Sequence, residues 1–420
     1  MSTYDFEAVF PNATQLNETN AKLEAMNHLL SHQNAAIDII AADKRAAAIA
    51  DISTVAELAK NGELLEVMDY GDQIAPAWAD GETNYNPAMN LCHESDELLE
   101  GGESVHGVFF EWDRVLPFTV PFDEPEAIYA FDGTEVSEAG DVYIGIGSAY
   151  STGWDTSKHI QITLSAVPDA DDQLVIDLAK KADTDPTNGR NWYIYAKGSK
   201  IAKQSGTTSN GTSGTNLGST SSAGTAYTNG KVNAPQRAVY GYNRWSQSAL
   251  RQYLNSDAAA DGWWTAKNAW DRPSSVHSTK AGFLNGYSAD AIRRFKPIKI
   301  VTVACDADSN AEDVTYDRVF LSSLEQMYCE PQFAGKEGAY WEYYKRLLGR
   351  TTPAPRSATY ARLIKYALTN DTTLSAQYCF RRSASRTNAH IVWTVTSSGS
   401  VNANYAYNAN RCAPSVFLSE

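Results

Sequence analysis

The sequence predicts an α+β protein in three parts: a helical N-terminal segment (1–60), a small antiparallel β-rich module (61–177) and a larger mixed domain (178–420). Three observations predict it. The first sixty residues are rich in Ala and hold an apolar seam at helical spacing. The next stretch breaks into short β-type runs separated by Gly, Pro, Asp and Asn. Beyond residue 230, helix start and stop signals alternate with apolar strand sequence.

In the first part Leu23, Met26, Leu30, Ile37 and Ile40 fall on alternating three- and four-residue steps, a short heptad-like seam that Gln33 and Lys44 interrupt. A helix this short is marginal alone, so the seam is expected to meet a second copy of the chain or to pack on the next domain. In the second part "LLEVMDYGDQIAPAW", "SVHGVFFEWDRV", "DVYIGIGSAY" and "KHIQITLSAV" read as strands of a compact sandwich or barrel. His93, Glu94 and His106 match no metal-ligand spacing and read as polar loop residues.

Residues 204–230, "QSGTTSNGTSGTNLGSTSSAGTAYTNG", are uncharged and dominated by Gly, Ser, Thr and Asn. With "NWYIYA" before and "RAVYGY" after, they read as a long loop within one domain. They form no phosphate-binding loop, for want of a Lys-Ser/Thr ending and a following helix. "NRWSQSALRQYLNS" carries a helix with Ser246 as N-cap, an apolar face of Ala249, Leu250 and Tyr253, and Asn255 near its end. "KPIKIVTVAC" is a strand, "DRVFLSSLEQMY" a strand and turn, and "GAYWEYYKRLLG" a helix. Trp263, Trp264 and Trp270 read as core aromatics.

Hydrophobic residues make up 43% and aromatics 11%, enough to exclude wholesale disorder. The start, "MSTYDFEAVF", has neither the basic end nor the apolar run of a signal peptide, so synthesis in a cytoplasm is expected. No apolar run reaches the length of a membrane span. Five scattered cysteines (Cys92, Cys305, Cys329, Cys379, Cys412) form no CxxC pair and read as buried free thiols rather than a zinc site or disulfide framework. The net charge of −15 argues against nucleic acid or an anionic membrane as the main partner. The charge is uneven: residues 331–420 hold eleven Lys and Arg against four Asp and Glu. Their interleaving with Tyr340, Trp341, Tyr343 and Tyr344 suits a solvated helix face and scaffold contacts better than a phosphate groove.

"RTNAHIVWTVTSSGSVNANYAYNAN", Arg386 to Asn410, has no charged residue after its first but holds five Asn, two Tyr and a Trp. Ile391, Trp393 and Val395 alternate with Val392, Thr394 and Thr396, as in a strand with one strongly apolar face. Ser397, Ser398 and Gly399 form a turn, and Val401, Ala403, Ala406 and Ala409 lie under a second irregular run. Trp393, Gly399, Arg411 and Pro414 are expected scaffold anchors, with Val416 and Phe417 closing the domain. Between the anchors, Thr387, Asn388, His390, Asn402, Asn404, Tyr405, Tyr407, Asn408 and Asn410, with Ser385 before them, are expected to point outward. Tyr supplies large contact area at small entropic cost, Asn and Ser adaptable hydrogen bonds, and a neutral surface buries no unpaired ion. Asn-, Ser- and Tyr-rich turns also serve surface proteins with no ligand, so a plain structural role stays open.

The tryptophan before "SQSALR", the "VFLSS" strand and the closing "FRRSAS…VWTV…G…A…NRCAPSVFL" resemble the C-type lectin fold, which also houses formylglycine-generating oxidases. More narrowly they resemble variable proteins of diversity-generating retroelements from phages and prophages of gut bacteria. "VAELAKNGELLEVMDYGDQI" and "LPFTVPFDEPEAIY" are similar to the module that precedes this fold in phage structural proteins. The resemblance covers most of residues 50–420. It implies a C-terminal C-type lectin-like domain whose segment 383–412 is rewritten at adenines, Asn codons being the usual starting point.

The motifs of calcium-dependent sugar-binding lectins are missing; "EPQ" at Glu330–Gln332 is the nearest approach, and no metal or cofactor is expected. The resemblance implies a virion protein that is not an enzyme and binds a host-surface protein or glycan. Its N-terminal segment would join other virion proteins and form a homo-oligomer, a trimer being the state that suits virion fibres. Two alternatives stand beside it: a non-diversified tail or decoration protein that uses the domain for packing, and a lectin-fold oxidase. The oxidase would need a placed pair of reactive cysteines that nothing identifies. His390 with Ser383 or Ser385 lacks the orienting acid and nucleophile elbow of a hydrolase.

Overall fold

A computed structural model describes residues 18–31, 33, 51–125, 128–132, 139–146, 160–167, 173–177, 191–195, 215–219, 240–267, 271–370 and 373–420. Helices and mainly antiparallel sheets make the chain α+β.

Residues 18–31 and 33 are helical, and Leu23, Met26, Leu29 and Leu30 stand 51–60% exposed on them. The seam residues Ile37, Ile40 and Lys44 lie outside the described residues. Helix α1 (Ile52–Lys60) starts where the Asp51 carboxylate accepts the Ser53 N–H, and it buries Val55, Ala56 and Ala59. "LLEVMDYGDQIAPAW" is less strand-like than expected. Leu64–Glu66 is a 3-10 turn, and pairing is confined to β1 (Gln73–Ile74) and to β2 (Trp78–Asp80) against β3 (Thr83–Tyr85). The long hairpin β4 (Met89–Leu98) and β5 (Ser104–Trp112) follows.

Between residues 128 and 219, β6 (Ile128–Asp132) pairs with β9 (Gln173–Asp177). A four-stranded sheet runs in the order β11 (Thr215–Ser219), β10 (Asn191–Tyr195), β7 (Gly140–Ile146), β8 (Ile160–Leu164). Five residues of the expected loop 204–230 are thus a strand, paired antiparallel with β10.

Helix α2 (Ala249–Leu254) begins two residues later than expected. Its N-cap is Ser248, whose Oγ accepts the Arg251 N–H at 3.1 Å; Ser246 sits in a 3-10 turn and donates to Asp313 at 2.6 Å. Trp245 explains the shift, because its ring is buried and its Nε1 is tied to Asp317 at 2.9 Å. Helix α3 (Ala289–Arg294) leads to the ladder β12 (Ile298–Val303) with β13 (Glu312–Asp317), then to β14 (Val319–Phe320). Helix α4 (Glu342–Leu348) ends at Gly349 in the left-handed region, φ 62°. The pair β15 (Lys365–Tyr366) and β16 (Ala376–Gln377) precedes β17 (Cys379–Ala384), β18 (Ile391–Val395), β19 (Val401–Tyr405), β20 (Arg411–Cys412) and β21 (Ser415–Leu418).

The central five-stranded sheet runs β1-β4-β5-β21-β14. Val108 to Trp112 and all of β21 are buried, as in strands covered on both faces. One sheet therefore joins residues 104–112 to residues 415–418, although the expected boundary at residue 177 lies between them. One apolar core likewise runs from Val55 to Leu418. Gly107 permits the close approach of β21, since a Cβ there would lie 2.5 Å from the Leu418 carbonyl oxygen. All five cysteines are buried, and no two of them form a disulfide.

Candidate ligand-binding face

The face is built on the sheet β19-β18-β17-β20, whose last pair is parallel. The 396–400 turn closes the β18–β19 hairpin: Thr396 Oγ1 accepts the N–H groups of Ser398 (3.3 Å) and Ser400 (3.1 Å). Gly399, at φ 85°, seats the turn on Tyr360, whose carbonyl oxygen a Cβ would meet at 2.3 Å. Arg411 reaches across to the Leu116 carbonyl at 2.7 Å, and buried Pro414 accepts the Trp112 N–H at 2.9 Å. Segment 116–123 runs beneath: Val120 and Phe122 donate to Asn410 O (2.7 Å) and Ala406 O (2.8 Å).

The alternation of β18 is opposite in phase to the expectation. Val392, Thr394 and Thr396 are buried, whereas Ile391 and Trp393 are half-exposed and only Val395 of that set is buried. Trp393 tolerates this position because its polar edge has a partner: Nε1 donates to Gln332 Oε1 at 3.0 Å, and Arg356 lies 5.2 Å over the ring. The "EPQ" glutamine is thereby committed to the scaffold. In the second run Val401 and Ala406 are buried as expected, but Ala403 and Ala409 are exposed.

Two of the ten expected contact residues do not point outward. Ser385 (5% exposed) and His390 (4%) are sealed by the loop that joins β17 to β18. Asn243 fixes that loop, its Nδ2 donating to the carbonyls of Asn388 (2.6 Å) and Ile391 (2.8 Å). Thr387 and Asn402 are exposed, Tyr407 is 38% exposed, and Asn388, Asn404, Tyr405, Asn408 and Asn410 are half-buried.

The structure brings four of the aromatic rings together. Tyr240 stacks on Tyr405 at 4.5 Å and 13°, lies 4.9 Å from His390 and 5.9 Å from Tyr407; Tyr405 and Tyr407 are 5.9 Å apart and 17° from parallel. Tyr240 also accepts the Tyr407 N–H at 3.0 Å on its backbone carbonyl. Sequence reasoning missed Tyr240 and Asn243, which precede the hairpin by about 150 residues. The signal was "YGYN": Gly241 sits at φ 77°, its Cβ position 2.5 Å from the Asp123 carbonyl oxygen, so this turn is pressed against segment 116–123.

Burial pulls the His390 imidazole down to about 4, so it is neutral at ordinary pH. The rim carries charge: Arg386 pairs with Asp306 at 3.1 Å beside Phe333. His93, Glu94 and His106, expected on loops, lie on β4 and β5, with His106 between Asp96 (2.8 Å) and Glu94 (3.4 Å). Among the described residues no three His, Cys, Asp or Glu side chains converge on a metal position. Trp263 is buried, Trp264 packs half-buried against the core, and Trp270 lies outside the described residues.

The family profile described as a domain of unknown function, DUF6273, matches residues 221–418, a span that includes Tyr240, Asn243 and the hairpin but not β4 or β5. No curated protein and no solved structure matches the chain.

Proposed function

We propose that the chain is a virion-associated binding protein of a phage or prophage. It recognises a host-surface ligand, protein or glycan, through the β18–β19 face of a C-type lectin-like domain, and a diversity-generating retroelement rewrites that face. The chain has no catalytic role in this reading. Its N-terminal helix joins other virion proteins and further copies of the chain through the exposed seam of Leu23, Met26 and Leu30.

The observation that carries the reading is the Tyr240–Tyr405–Tyr407 cluster. It is edged by uncharged Asn and Thr side chains and backed by buried Val392, Thr394 and Ala406. Such a face offers rigid rings and adaptable amides over a backing that outward substitutions leave untouched.

The test is binding of the full chain to a panel of gut bacterial cells. Tyr405→Ala with Tyr407→Ala is expected to weaken binding to a responsive strain at least tenfold, with the fold unchanged by circular dichroism. The gene is expected to show AAY-rich codons over 385–410, a nearby repeat differing at adenines and an adjacent reverse-transcriptase gene. Undiminished binding by the double variant would remove the face from the function; absence of the repeat would remove the diversification.

A further inference from the structure

Two strand edges face each other across an open cleft away from the hairpin. Leu99 donates to Glu103 O at 2.8 Å, and the β4–β5 register runs unbroken from His93↔Phe109 to Leu98↔Ser104. Bonded and non-bonded pairs alternate in an antiparallel ladder, so the backbone groups of Asp96 and Leu98 point away from β5. β12 repeats the arrangement. Ala304 donates to Ala311 O at 2.9 Å, in register with Ile298↔Asp317, and this turns Lys299, Val301 and Val303 away from β13. Val303 shows the direction directly, because its N–H donates to the buried Glu337 carboxylate at 3.2 Å.

The two edges touch at the antiparallel bridge Leu99↔Ile298. Beyond it lies a cleft of about 340 Å³, lined by Asp96 and Glu97 on one side, Lys299 and Val301 on the other, and buried Phe109, Trp341, Glu337 and Arg382 within. Among the described residues no third strand enters it. None of the candidate contact side chains of the hairpin lines it.

We propose that this cleft takes an extended peptide segment of a partner protein, which hydrogen-bonds to β4 and β12 at once. An extended chain carries alternating N–H and C=O groups on both of its edges at about 3.4 Å per residue. On β4 and β12 that repeat meets the outward groups of Asp96 and Val301, since Leu98 and Lys299 meet at the bridge and the Val303 N–H is held by Glu337. About three residues, some 10 Å of strand, fit between the edges, with flanking residues over the rim. Alternate side chains turn inward to Phe109 and Trp341, on the face that also carries Glu97, and outward to a rim carrying both signs, Asp96 with Lys299 and Lys336. Main-chain bonds supply the affinity, and the inner pocket, apolar at Phe109 and Trp341 and charged at Glu337 and Arg382, the selectivity, as in other strand-addition complexes.

The test uses the full chain and a pool of acetylated, amidated hexapeptides with randomised side chains. Recovered peptides are expected to alternate apolar and polar residues and to slow hydrogen exchange at the Asp96 and Val301 amides at least tenfold. Methylating one main-chain nitrogen of a recovered peptide is expected to weaken it at least tenfold at even and at odd positions within the inserted residues, because both edges are used. The change is made on the peptide, so protein folding is not at stake. No enrichment over blank resin, protection confined to other amides, or tolerance of methylation at alternate positions overturns the proposal.

Discussion

Glu111 sits fully buried in the central sheet, where an isolated carboxylate would be strongly unfavourable. Lys365 Nζ lies 3.0 Å and Arg381 Nη1 3.2 Å from its oxygens, and Ser322 and Tyr344 donate to it. Burial alone would raise its pKa, but the two cations and the hydroxyls hold it down to about 2. Removing the carboxylate strands two buried cations, so Glu111→Ala is expected to lose roughly 3–5 kcal/mol in urea denaturation. The folded value lies below the unfolded one near 4.5, so this contribution is complete above pH 4.5 and lost as pH falls towards 2. His390 acts in a higher window. Its folded value of about 4 lies below the unfolded 6.5, so stability falls as pH drops from 6.5 to 4. His390→Phe keeps a ring in the stack and is expected to flatten that part of the stability–pH curve. An unchanged slope in thermal melts between pH 4 and 6.5 would show that another group titrates there.

At the scale of the element, β19 is an edge strand among the described residues and supplies its own cover. Thr396 donates to Ser400 O and Ala406 to His390 O, both at 2.9 Å, so even-numbered residues bond across the hairpin. The N–H groups of Ala403 and Tyr405 therefore face the open side. Each meets the side chain of the residue before it: Asn402 Oδ1 accepts from Ala403 at 2.8 Å and Asn404 Oδ1 from Tyr405 at 2.9 Å. Such local bonds blunt an edge that would otherwise invite strand pairing. The Asn402→Ala, Asn404→Ala double variant is expected to exchange those two amides several-fold faster and to self-associate in sedimentation velocity. Unchanged exchange would mean that water already serves them as well. Much of this hairpin was legible in the sequence, because the Ser-Ser-Gly turn and the buried Val401 and Ala406 follow from turn chemistry and period. The phase of β18 was not. Ile391 and Trp393 are more apolar than Val392 and Thr394, and only the distant partners Gln332 and Arg356 make a half-exposed Trp393 acceptable. Ser385 and His390 misled for the same reason, since the residue that seals their loop, Asn243, comes from a remote turn.

At the scale of the molecule, residues 73–112 and residues 415–418 meet in one sheet. Composition marks where strands begin and end, but it carries no trace of a pairing between residues about 300 apart, such as β5 with β21. A boundary placed at residue 177 was the natural reading of a change in local pattern, yet β21 lies between β5 and β14 and is buried throughout. The matched span 221–418 has the same gap, for it holds β14, β17–β19 and β21 but not the strands on β21's other side. A fragment of residues 221–420 would expose the inner edge of β21 and leave Lys365 and Arg381 without Glu111. It is expected to be insoluble, or to show no cooperative thermal transition. Co-expression with residues 51–125, which bring α1, β4, β5 and Glu111, is expected to restore a soluble complex with a single transition. A fragment 221–420 that melted cooperatively alone would mean that the hairpin face stands on a core smaller than the one running from Val55 to Leu418.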